Sequence, residues 1–564
     1  MKFIRSRGCC RQALLAFGAS CLLVVHVQAQ GEVSSLPRIV EQDGRHALLV
    51  DGEPYLILGA QSNNSSAWPA MLPKVWPAME AMHVNTAELP IYWEQFEPEP
   101  GRFDTSVVDT ILREAREHDF RLILLWFATW KNGSNHYMPP WIKLDAERYP
   151  NMIGRDGKTV DSPSPHAAAT LEADKKAFVA FMRHLKEADP QHTVIMVQVE
   201  NEPGTWNAVR DFSPAAQKVF DGPVPPEVLS ATQKTAPPDA NWSTVFGKDA
   251  DEFFHVWHVA RFIGQVAEAG KAEYPLPMYV NGSVRDPIKP TWPPNYQVGG
   301  PNDNVFELWK EAAPAIDLLA PDIYARDTAS YLKLLDFYNR PDNALFVPET
   351  IGQGNFPRFF YAALGRGAIG YAPFGLDFTR RLTTRTGAPL TPEEFVGPTA
   401  TNYRIFRPMA RKIARLNFEG KLQTAVQGEK EPRPEQLAAV PASQGLAGPP
   451  DRVLHFDGWD AAVAFGTFGR NGARPKPIPI EPGGRALVAQ LGENQFLVTG
   501  LAARVVFYPT GKSSGRVWQY LAVEEGEYED SDFQPQRILN GDQTDWGLIF
   551  AETPSVLRVS LYVR

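Results

Sequence analysis

The sequence predicts an α/β protein: a (β/α)8 TIM barrel followed by a smaller all-β sandwich. Apolar, β-rich runs alternate with amphipathic helical stretches through the first two thirds of the chain, as βα units do. Beyond residue 453 the pattern changes to short alternating strands. A chain of 564 residues also exceeds what one hydrophobic core usually serves. We therefore predict a signal peptide over residues 1–29, a barrel over 30–420, a connection over 421–452 and a sandwich over 453–564.

The N-terminal segment has the pattern of an export signal. Basic residues such as Arg5 and Arg11 precede an apolar run over residues 13–27, and a small-residue cleavage pattern ends at Ala29. All three cysteines lie inside this segment, so the mature protein would contain no disulfide and no zinc–thiolate site. The alternatives are an uncleaved anchor, which the short apolar run disfavours, and a lipid-linked Cys21, which the apolar residues after it disfavour. We expect a periplasmic or extracellular protein without stable membrane insertion.

Eight apolar runs follow one another in the order expected of barrel strands. The first follows a hairpin signature at Asp51-Gly52, and residues 107–115 place apolar side chains at helical spacing between the second and third runs. Eight is the strand number of this barrel. The runs lie near residues 55–58, 84–87, 122–127, 193–199, 278–280, 316–319, 344–347 and 368–371.

Two stretches interrupt the alternation. Residues 213–242 are rich in Pro and Ala and are predicted to form an insertion near the mouth of a pocket, although a solvent-facing excursion without a role fits equally well. Residues 427–451 carry charge, Pro and Gly without periodicity and are interpreted as an exposed connection.

Charge and composition limit the class of partner. A formal net charge of −9 argues against nucleic acid or an anionic membrane as a partner. Fourteen Trp and 32 Phe favour sugar stacking only weakly, because core packing accounts for most aromatic residues. The sequence leaves a homo-oligomer open.

Two glutamates, Glu202 and Glu349, each follow an apolar run and should lie where a buried strand opens into a loop. In a parallel barrel such positions form the catalytic face. Either glutamate alone would be better explained as a surface or ion-paired residue. Two carboxylates that converge from different strand ends are, however, the minimum needed to break a glycosidic bond through an oxocarbenium-like transition state.

The local sequence suggests a role for each carboxylate. Glu202 suits a general acid, because a neighbouring carboxylate would raise its pKa and keep it protonated. The amide of Asn201 could bind a sugar 2-hydroxyl. Glu349, stiffened by Pro348, would be the ionised nucleophile, and a retaining enzyme needs the two carboxyl groups roughly 5 Å apart. Glu200 is interpreted as structural, paired with a buried Arg or Lys.

Aromatic residues could complete the pocket. The hydroxyl of Tyr324 could bond to Glu349, with core packing as the alternative. Trp93, Trp126 and Trp130 are predicted to line the pocket, although core packing is nearly as good an explanation for each. The chain has no Gly-x-Ser-x-Gly elbow, His-Glu-x-x-His helix or phosphate loop, so no metal or cofactor is expected. Acidic turns at residues 529–532 and 542–545 lack a full calcium-loop pattern.

Several motifs resemble those of a known family. Residues 197–202 (Val-Gln-Val-Glu-Asn-Glu) resemble the acid/base signature of glycoside hydrolase family 35 β-galactosidases, which belong to a clan of retaining β/α-barrel enzymes. Residues 92–104 are similar to a tract shared by families 35 and 42, and residues 347–350 resemble the strand-seven nucleophile motif. Residues 539–548 look like the end of the β-domain in a bacterial subgroup. The resemblance implies Glu202 as acid/base, Glu349 as nucleophile, Asn201 as 2-hydroxyl ligand and Tyr324 as the nucleophile's partner.

The chain departs from the family 35 pattern at two positions. Pro203 stands where the family usually has Tyr, and Thr129 stands where an Ala-Glu-Trp motif supplies a galactose-binding Glu. The expected function is an exported, retaining exo-β-glycosidase that removes terminal galactose from plant cell-wall oligosaccharides such as xyloglucan or pectic side chains. Thr129 keeps open another sugar, such as arabinose, fucose or glucose. A non-catalytic carbohydrate-binding protein is the alternative from another class.

Overall fold

The computed structural model describes residues 35–384, 387–429, 450–466, 468, 483–529, 531–551 and 553–564. The predicted signal peptide and residues 430–449 of the predicted connection lie outside these ranges.

The strands from the N-terminus to the end of the barrel are β1 (Arg38–Gln42), β2 (Arg45–Val50), β3 (Glu53–Tyr55), β4 (Ile57–Gln61), β5 (Thr86–Tyr92), β6 (Arg121–Lys131), β7 (Asn151–Ile153), β8 (Thr159–Pro163), β9 (Val194–Asn201), β10 (Met278–Ser283), β11 (Leu318–Ile323), β12 (Phe346–Val347), β13 (Glu349–Thr350) and β14 (Gly370–Tyr371). The α-helices are α1 (Leu72–Ala81), α2 (Trp93–Phe96), α3 (Ser106–Glu117), α4 (Pro140–Lys143), α5 (Ala168–Ala188), α6 (Pro214–Phe220), α7 (Pro226–Ala231), α8 (Trp242–Phe246), α9 (Ala250–Glu273), α10 (Phe306–Ala312), α11 (Thr328–Tyr338), α12 (Arg358–Leu364), α13 (Pro392–Phe406) and α14 (Ala410–Phe418). The C-terminal strands are β15 (Leu422–Val426), β16 (Arg452–Phe456), β17 (Trp459–Phe465), β18 (Arg485–Gly492), β19 (Gln495–Leu501), β20 (Ala503–Pro509), β21 (Trp518–Glu529), β22 (Asp532–Ile538), β23 (Leu548–Phe550) and β24 (Ser555–Val563).

The barrel is a parallel sheet that closes on itself. Its nine segments run in the order β12-β14-β4-β5-β6-β9-β10-β11-β13. Segments β12 and β13 are two halves of one strand, interrupted at Pro348, which has no backbone N–H to donate. β13 pairs with β11, and β12 pairs with β14, which pairs with β4. Counting the halves as one strand leaves eight strands, so the predicted (β/α)8 barrel is confirmed.

Amphipathic helices cover the outside of the barrel. In α3 the residues at helical spacing, Val107, Val108, Ile111, Leu112 and Ala115, are all buried, as their period predicts. The predicted insertion at 213–242 holds α6 and α7 and ends where α8 begins. Its last residue, Trp242, is buried, and its ring centroid lies 5.3 Å from that of Phe254 on α9. The insertion is therefore anchored by packing at this end.

The C-terminal β-sandwich contains two antiparallel sheets, β15-β18-β19-β24-β21-β22 and β16-β17-β20-β23. Alternating side chains from both sheets, such as Val498 and Val505, meet in one apolar core. The predicted boundary at residue 453 is too late, because β15 already pairs with β18 over Leu422–Val426. Those five residues were predicted as connection because so short a run carries little periodicity.

The other face of the six-stranded sheet packs on the barrel. Leu487 and Leu497 belong to the barrel's hydrophobic cluster, and the Thr424 hydroxyl donates to the carbonyl of Tyr361 on α12 at 2.8 Å. Within the described residues, no helix combines the length and the apolar character that crossing a bilayer requires.

Candidate active site

Three carboxyl groups converge at the carboxyl ends of the barrel strands. Glu202 directly follows β9, Asp322 lies near the end of β11, and Glu349 begins β13. One carboxyl oxygen from each lies within 4.8 Å of the others. All three residues are buried, with exposures of 9%, 2% and 5%. The structure thus brings the two predicted glutamates together on the face where barrel enzymes hold their catalytic groups, and adds a third acid.

The backbone around Glu202 is held in an unusual conformation. Glu200 and Glu202 have φ angles of 63° and 42°, in the left-handed region that non-glycine residues rarely adopt. Gly204 follows with φ of 118°, and a Cβ atom there would overlap the carbonyl of Val298. The Glu202 N–H donates to Asn281 Oδ1 at 2.9 Å, and the Glu202 carbonyl accepts from the side-chain amide of Gln297. These contacts fix the turn that aims the carboxyl group into the barrel mouth.

Glu349 is held by two side-chain donors. Gln61 Nε2, at the end of β4, donates to Oε1 at 3.1 Å. The Tyr324 hydroxyl donates to Oε2 at 2.8 Å, so the structure contains the predicted contact. One donor on each oxygen fixes the orientation of the carboxylate. Tyr324 is 40% exposed, which places it at the rim of the site.

Electrostatics favour a protonated Glu202. Burial and, after it, the charge of Glu349 raise the pKa of Glu202 to about 7, while the Lys131 cation acts in the opposite direction. Burial, followed by the charges of Glu349 and Glu202, raises the pKa of Asp322 well above its usual range. The cluster therefore retains protons near neutral pH, as a general acid requires.

Asn201 is held between neighbouring polar groups. Its Oδ1 accepts from Gln198 Nε2 at 3.0 Å and from Asn281 Nδ2 at 3.2 Å. The other polar atom of the Asn201 side-chain amide lies 2.9 Å from Lys131 Nζ. Asn281 also donates to Asp322 Oδ2 at 2.8 Å, so one amide links the strand ends that carry Asn201 and Asp322.

Sequence reasoning missed four members of the site: Gln61, Lys131, Asn281 and Asp322. Each is a buried polar residue near the end of an otherwise apolar strand. That pattern was visible in the sequence, and Asp322 stands two residues before the predicted Tyr324. A search for polar residues that end apolar runs would have found all four.

A fifth polar residue lies deeper in the barrel. Glu88 of β5 is fully buried and neither of its carboxyl oxygens has a hydrogen-bond partner. It is the register partner of Gln61, whose Oε1 also has no partner. Burial and then the charge of Glu349 raise the pKa of Glu88 well above its usual range. A buried carboxyl group with a raised pKa therefore lies next to Gln61, which bonds to Glu349.

The contacts of Glu200 are structural, but the prediction that a buried Arg or Lys pairs with it is wrong. Its carboxylate accepts from the backbone N–H of Thr129 at 3.2 Å and of Trp130 at 2.7 Å. Asp174 of α5 is its acidic neighbour, and burial and then Asp174 raise the pKa of Glu200. Backbone donors satisfy this buried acid in place of a cation.

Four predicted substrate-binding residues do not line the site. Trp126 Nε1 and the Thr129 hydroxyl both bond to Asp174, at 2.9 and 2.5 Å, on the helix side of the sheet. The ring centroid of Trp130 lies 4.7 Å from that of Phe262 on α9.

Trp93 bonds to Glu97 at 2.9 Å, and all four of these residues are fully buried. The prediction that the three Trp residues line the pocket and that Thr129 binds substrate is therefore wrong, and for the Trp residues the core-packing alternative holds.

Cavities flank the carboxyl groups. Tyr324 lines one of about 320 Å³ together with Asn63 and Gln353. It also lines one of about 310 Å³ that includes Asp322 and Arg285. Among the described residues, Glu202, Asp322 and Glu349 are also the one acid or histidine group whose ligand atoms converge closely enough for a metal ion. An acidic cluster alone does not define a metal site.

Two family models match separate parts of the chain. Residues 65–256 match glycoside hydrolase family 42, described as Beta-galactosidase, and residues 399–551 match a family described as Domain of unknown function (DUF5597). The first segment contains Glu202 and the second covers most of the sandwich. No curated protein matches the chain. The match is to family 42, so the assignment to family 35 stays a prediction.

Solved structures of similar shape include β-galactosidases. That of Bacillus circulans sp. alkalophilus has 14% identity and a TM-score of 0.46, over 64% of this chain and 57% of its own. That of Rahnella sp. R3 has 16% identity and a TM-score of 0.46, over 67% and 58%. The catalytic domain of a β-amylase from Paenibacillus polymyxa has 12% identity and a TM-score of 0.44, over 60% and 98%.

The chain spans less than two thirds of the length of the two β-galactosidases. The family match over residues 65–256, which includes Glu202, makes this part of the barrel similar to the family 42 β-galactosidases.

Proposed function

We propose that the protein is a retaining exo-β-glycosidase that releases terminal galactose from plant cell-wall oligosaccharides such as xyloglucan or pectic side chains. The observation that carries the proposal is the spacing of Glu202 and Glu349, whose carboxyl oxygens approach within 4.8 Å. Retaining glycosidases hold their two carboxyl groups about 5 Å apart, whereas inverting enzymes separate them by roughly 6.5–9.5 Å to admit a water molecule.

The reaction follows from the two environments. Glu202 donates its proton to the glycosidic oxygen while a Glu349 oxygen attacks the anomeric carbon, so the leaving sugar departs as an alcohol and a glycosyl ester forms on Glu349. Water then attacks the same carbon, Glu202 takes one of its protons, and Glu349 is released as a carboxylate. Gln61 and Tyr324 support this role by holding one oxygen each.

Galactose as the sugar is supported by the description of the family that matches residues 65–256. One observation favours a second candidate, a glycosidase for arabinose, fucose or glucose. Thr129 stands where the family 35 motif has its galactose-binding Glu, and the Thr129 hydroxyl bonds to Asp174, away from the carboxyl cluster. We also propose that the protein is exported. N-terminal sequencing of the mature protein tests this, because cleavage after Ala29 would leave residue 30 as the first residue.

The test is hydrolysis of aryl β-galactoside, α-arabinoside, β-fucoside and β-glucoside by the purified protein. We expect the highest kcat/KM for the galactoside and, by NMR, β-galactose as the first product. An α-anomer as the first product would exclude retention. A higher kcat/KM for another sugar would favour the second candidate, and sugar binding without turnover would favour a carbohydrate-binding protein.

A further inference from the structure

A large cavity lies beside the loop that carries Glu202. Its volume is about 1010 Å³, and four segments line it, around residues 154–160, 207–212, 248–252 and 292–294. The segments at 207–212 and 292–294 follow β9 and β10, at the barrel end that carries the carboxyl groups, while the first segment joins β7 to β8 and the third includes the start of α9. Pockets of about 300–1,000 Å³ commonly bind small molecules, so the space suffices for several sugar rings.

The wall of this cavity is connected to Glu202. Gln297 bonds to the Glu202 carbonyl, and Pro294, in the cavity wall, lies three residues earlier. An extended chain covers three residues in at most roughly 11 Å, which limits the separation. A backbone pair between Thr205 and Val298 joins the two loops, with N···O distances of 2.7 and 3.0 Å. The cavity therefore adjoins the acid/base turn.

The reaction itself assigns a side to each part of the substrate. The acid/base protonates the glycosidic oxygen, so the leaving saccharide must extend past the Glu202 carboxyl group. Tyr324, which bonds to Glu349, and Thr350, which follows Glu349 in β13, line a different and smaller cavity. The large cavity thus lies on the side of the leaving group.

The lining has the chemistry that sugars need. Trp292 is 60% exposed, and Lys248 Nζ lies 3.8 Å from its ring centroid. Around it, the ion pair of Arg155 with Asp251, at 2.5 Å, contributes charged groups to the wall. An exposed aromatic ring covers the apolar face of a pyranose, and charged groups at the rim can bond to its hydroxyls.

We propose that this cavity binds the leaving saccharide of the substrate, a chain of at least two neutral sugar units, and that Trp292 is its stacking platform. The inference rests on the proposed function, since only a glycosidase has a leaving saccharide. It also gives the loops that follow β9 and β10 a role as a subsite for substrate length.

The test compares Trp292→Ala with wild type on two kinds of substrate: aryl β-galactoside, and galactose attached to β-1,4-linked glucose oligomers of one to four units. For wild type, kcat/KM should rise with oligomer length. Trp292→Ala should lower the ratio of kcat/KM on the longest oligomer to that on the aryl galactoside about ten-fold, mainly through KM, since a stacking contact of this kind contributes modestly. Trp546→Ala is the matched control, because this exposed Trp lies in the C-terminal domain.

The inference is overturned, although hydrolysis stands, if Trp292→Ala has the same ratio of kcat/KM on the longest oligomer to that on the aryl galactoside as wild type. It is also overturned if kcat/KM of wild type does not rise with oligomer length. A second measurement separates the two proposals: calorimetric binding of galactose-free β-1,4-glucose tetramer to both proteins. If wild type hydrolyses no glycoside, the proposed function fails. Weaker tetramer binding by Trp292→Ala would then still support a saccharide site in the cavity, and equal binding would exclude it.

Discussion

Glu200 and Glu202 are separated by one residue, share an unusual backbone conformation and are both buried, yet their surroundings differ. Two backbone N–H groups satisfy the Glu200 carboxylate, and Asp174 beside it binds side chains of β6. Glu202 instead faces two other acids, Asp322 and Glu349. Both glutamates have an acidic neighbour, but two backbone donors hold the Glu200 carboxyl group within the fold, whereas the Glu202 carboxyl group lies beside Glu349 at the ends of the barrel strands. Burial alone therefore does not identify a catalytic carboxyl group.

The largest effect expected from this comparison is at Glu349. Glu349→Gly removes the attacking carboxylate, so hydrolysis of aryl β-galactoside should fall on the order of 10⁴-fold or more. Steady-state kinetics measure the loss. Added azide should restore turnover and yield the α-galactosyl azide, which also demonstrates an intact fold. Full activity without azide would remove Glu349 from its role.

At Glu202 the expected loss depends on the leaving group. Glu202→Gln cannot donate a proton, so kcat/KM on an oligosaccharide should fall about 10²–10⁴-fold. A dinitrophenyl galactoside needs little protonation to depart, and its glycosylation rate should change much less. Pre-steady-state measurements on both substrates check this. Equal losses on both would mean that Glu202 is not the general acid.

Glu200 tests the structural half of the comparison. Glu200→Leu leaves the N–H groups of Thr129 and Trp130 without an acceptor, so the free energy of unfolding should fall by about 3 kcal/mol. Urea denaturation measures this, and kcat on aryl galactoside should stay within a few-fold of wild type while the protein is folded. Unchanged stability with a large loss of kcat would reverse the assignment of the two glutamates.

The smallest effect concerns the pH profile. Because Glu202 must be protonated, kcat/KM should fall as the pH rises through the pKa of about 7. The Lys131 cation lowers that pKa, so Lys131→Met should move the basic limb to higher pH. Lys234→Met, at an exposed position in the insertion, is the control and should leave the limb in place. A limb that moves to lower pH, or does not move, would contradict the electrostatic role of Lys131.

Much of the barrel could be predicted, because its strands are apolar runs separated by helices such as α3 with a clear period. Glu202 and Glu349 stood out because each ends such a run. The direction of side chains along β6 could not be predicted. Its pairing with β9 shifts between Trp126 and Lys131, so simple alternation fails over those residues.

That irregularity explains most of the errors at the site. Trp126, Thr129 and Trp130 face the helices, and Lys131 reaches the carboxyl cluster instead. Asn281 and Gln61 escaped notice for another reason. Each is a single amide at the end of an apolar run, which the sequence shows, but its role depends on residues far away in the chain, which the sequence does not show.

The break in the seventh barrel strand at Pro348 gives its two halves different pairing partners. Phe346 and Val347 pair with β14 and complete the cylinder, whereas Glu349 and Thr350 pair with β11, and the Thr350 carbonyl also accepts from the N–H of Phe374, beyond β14, at 3.0 Å. The sixth strand carries Asp322, which is the register partner of Glu349, so the backbone ladder itself places these two acids side by side.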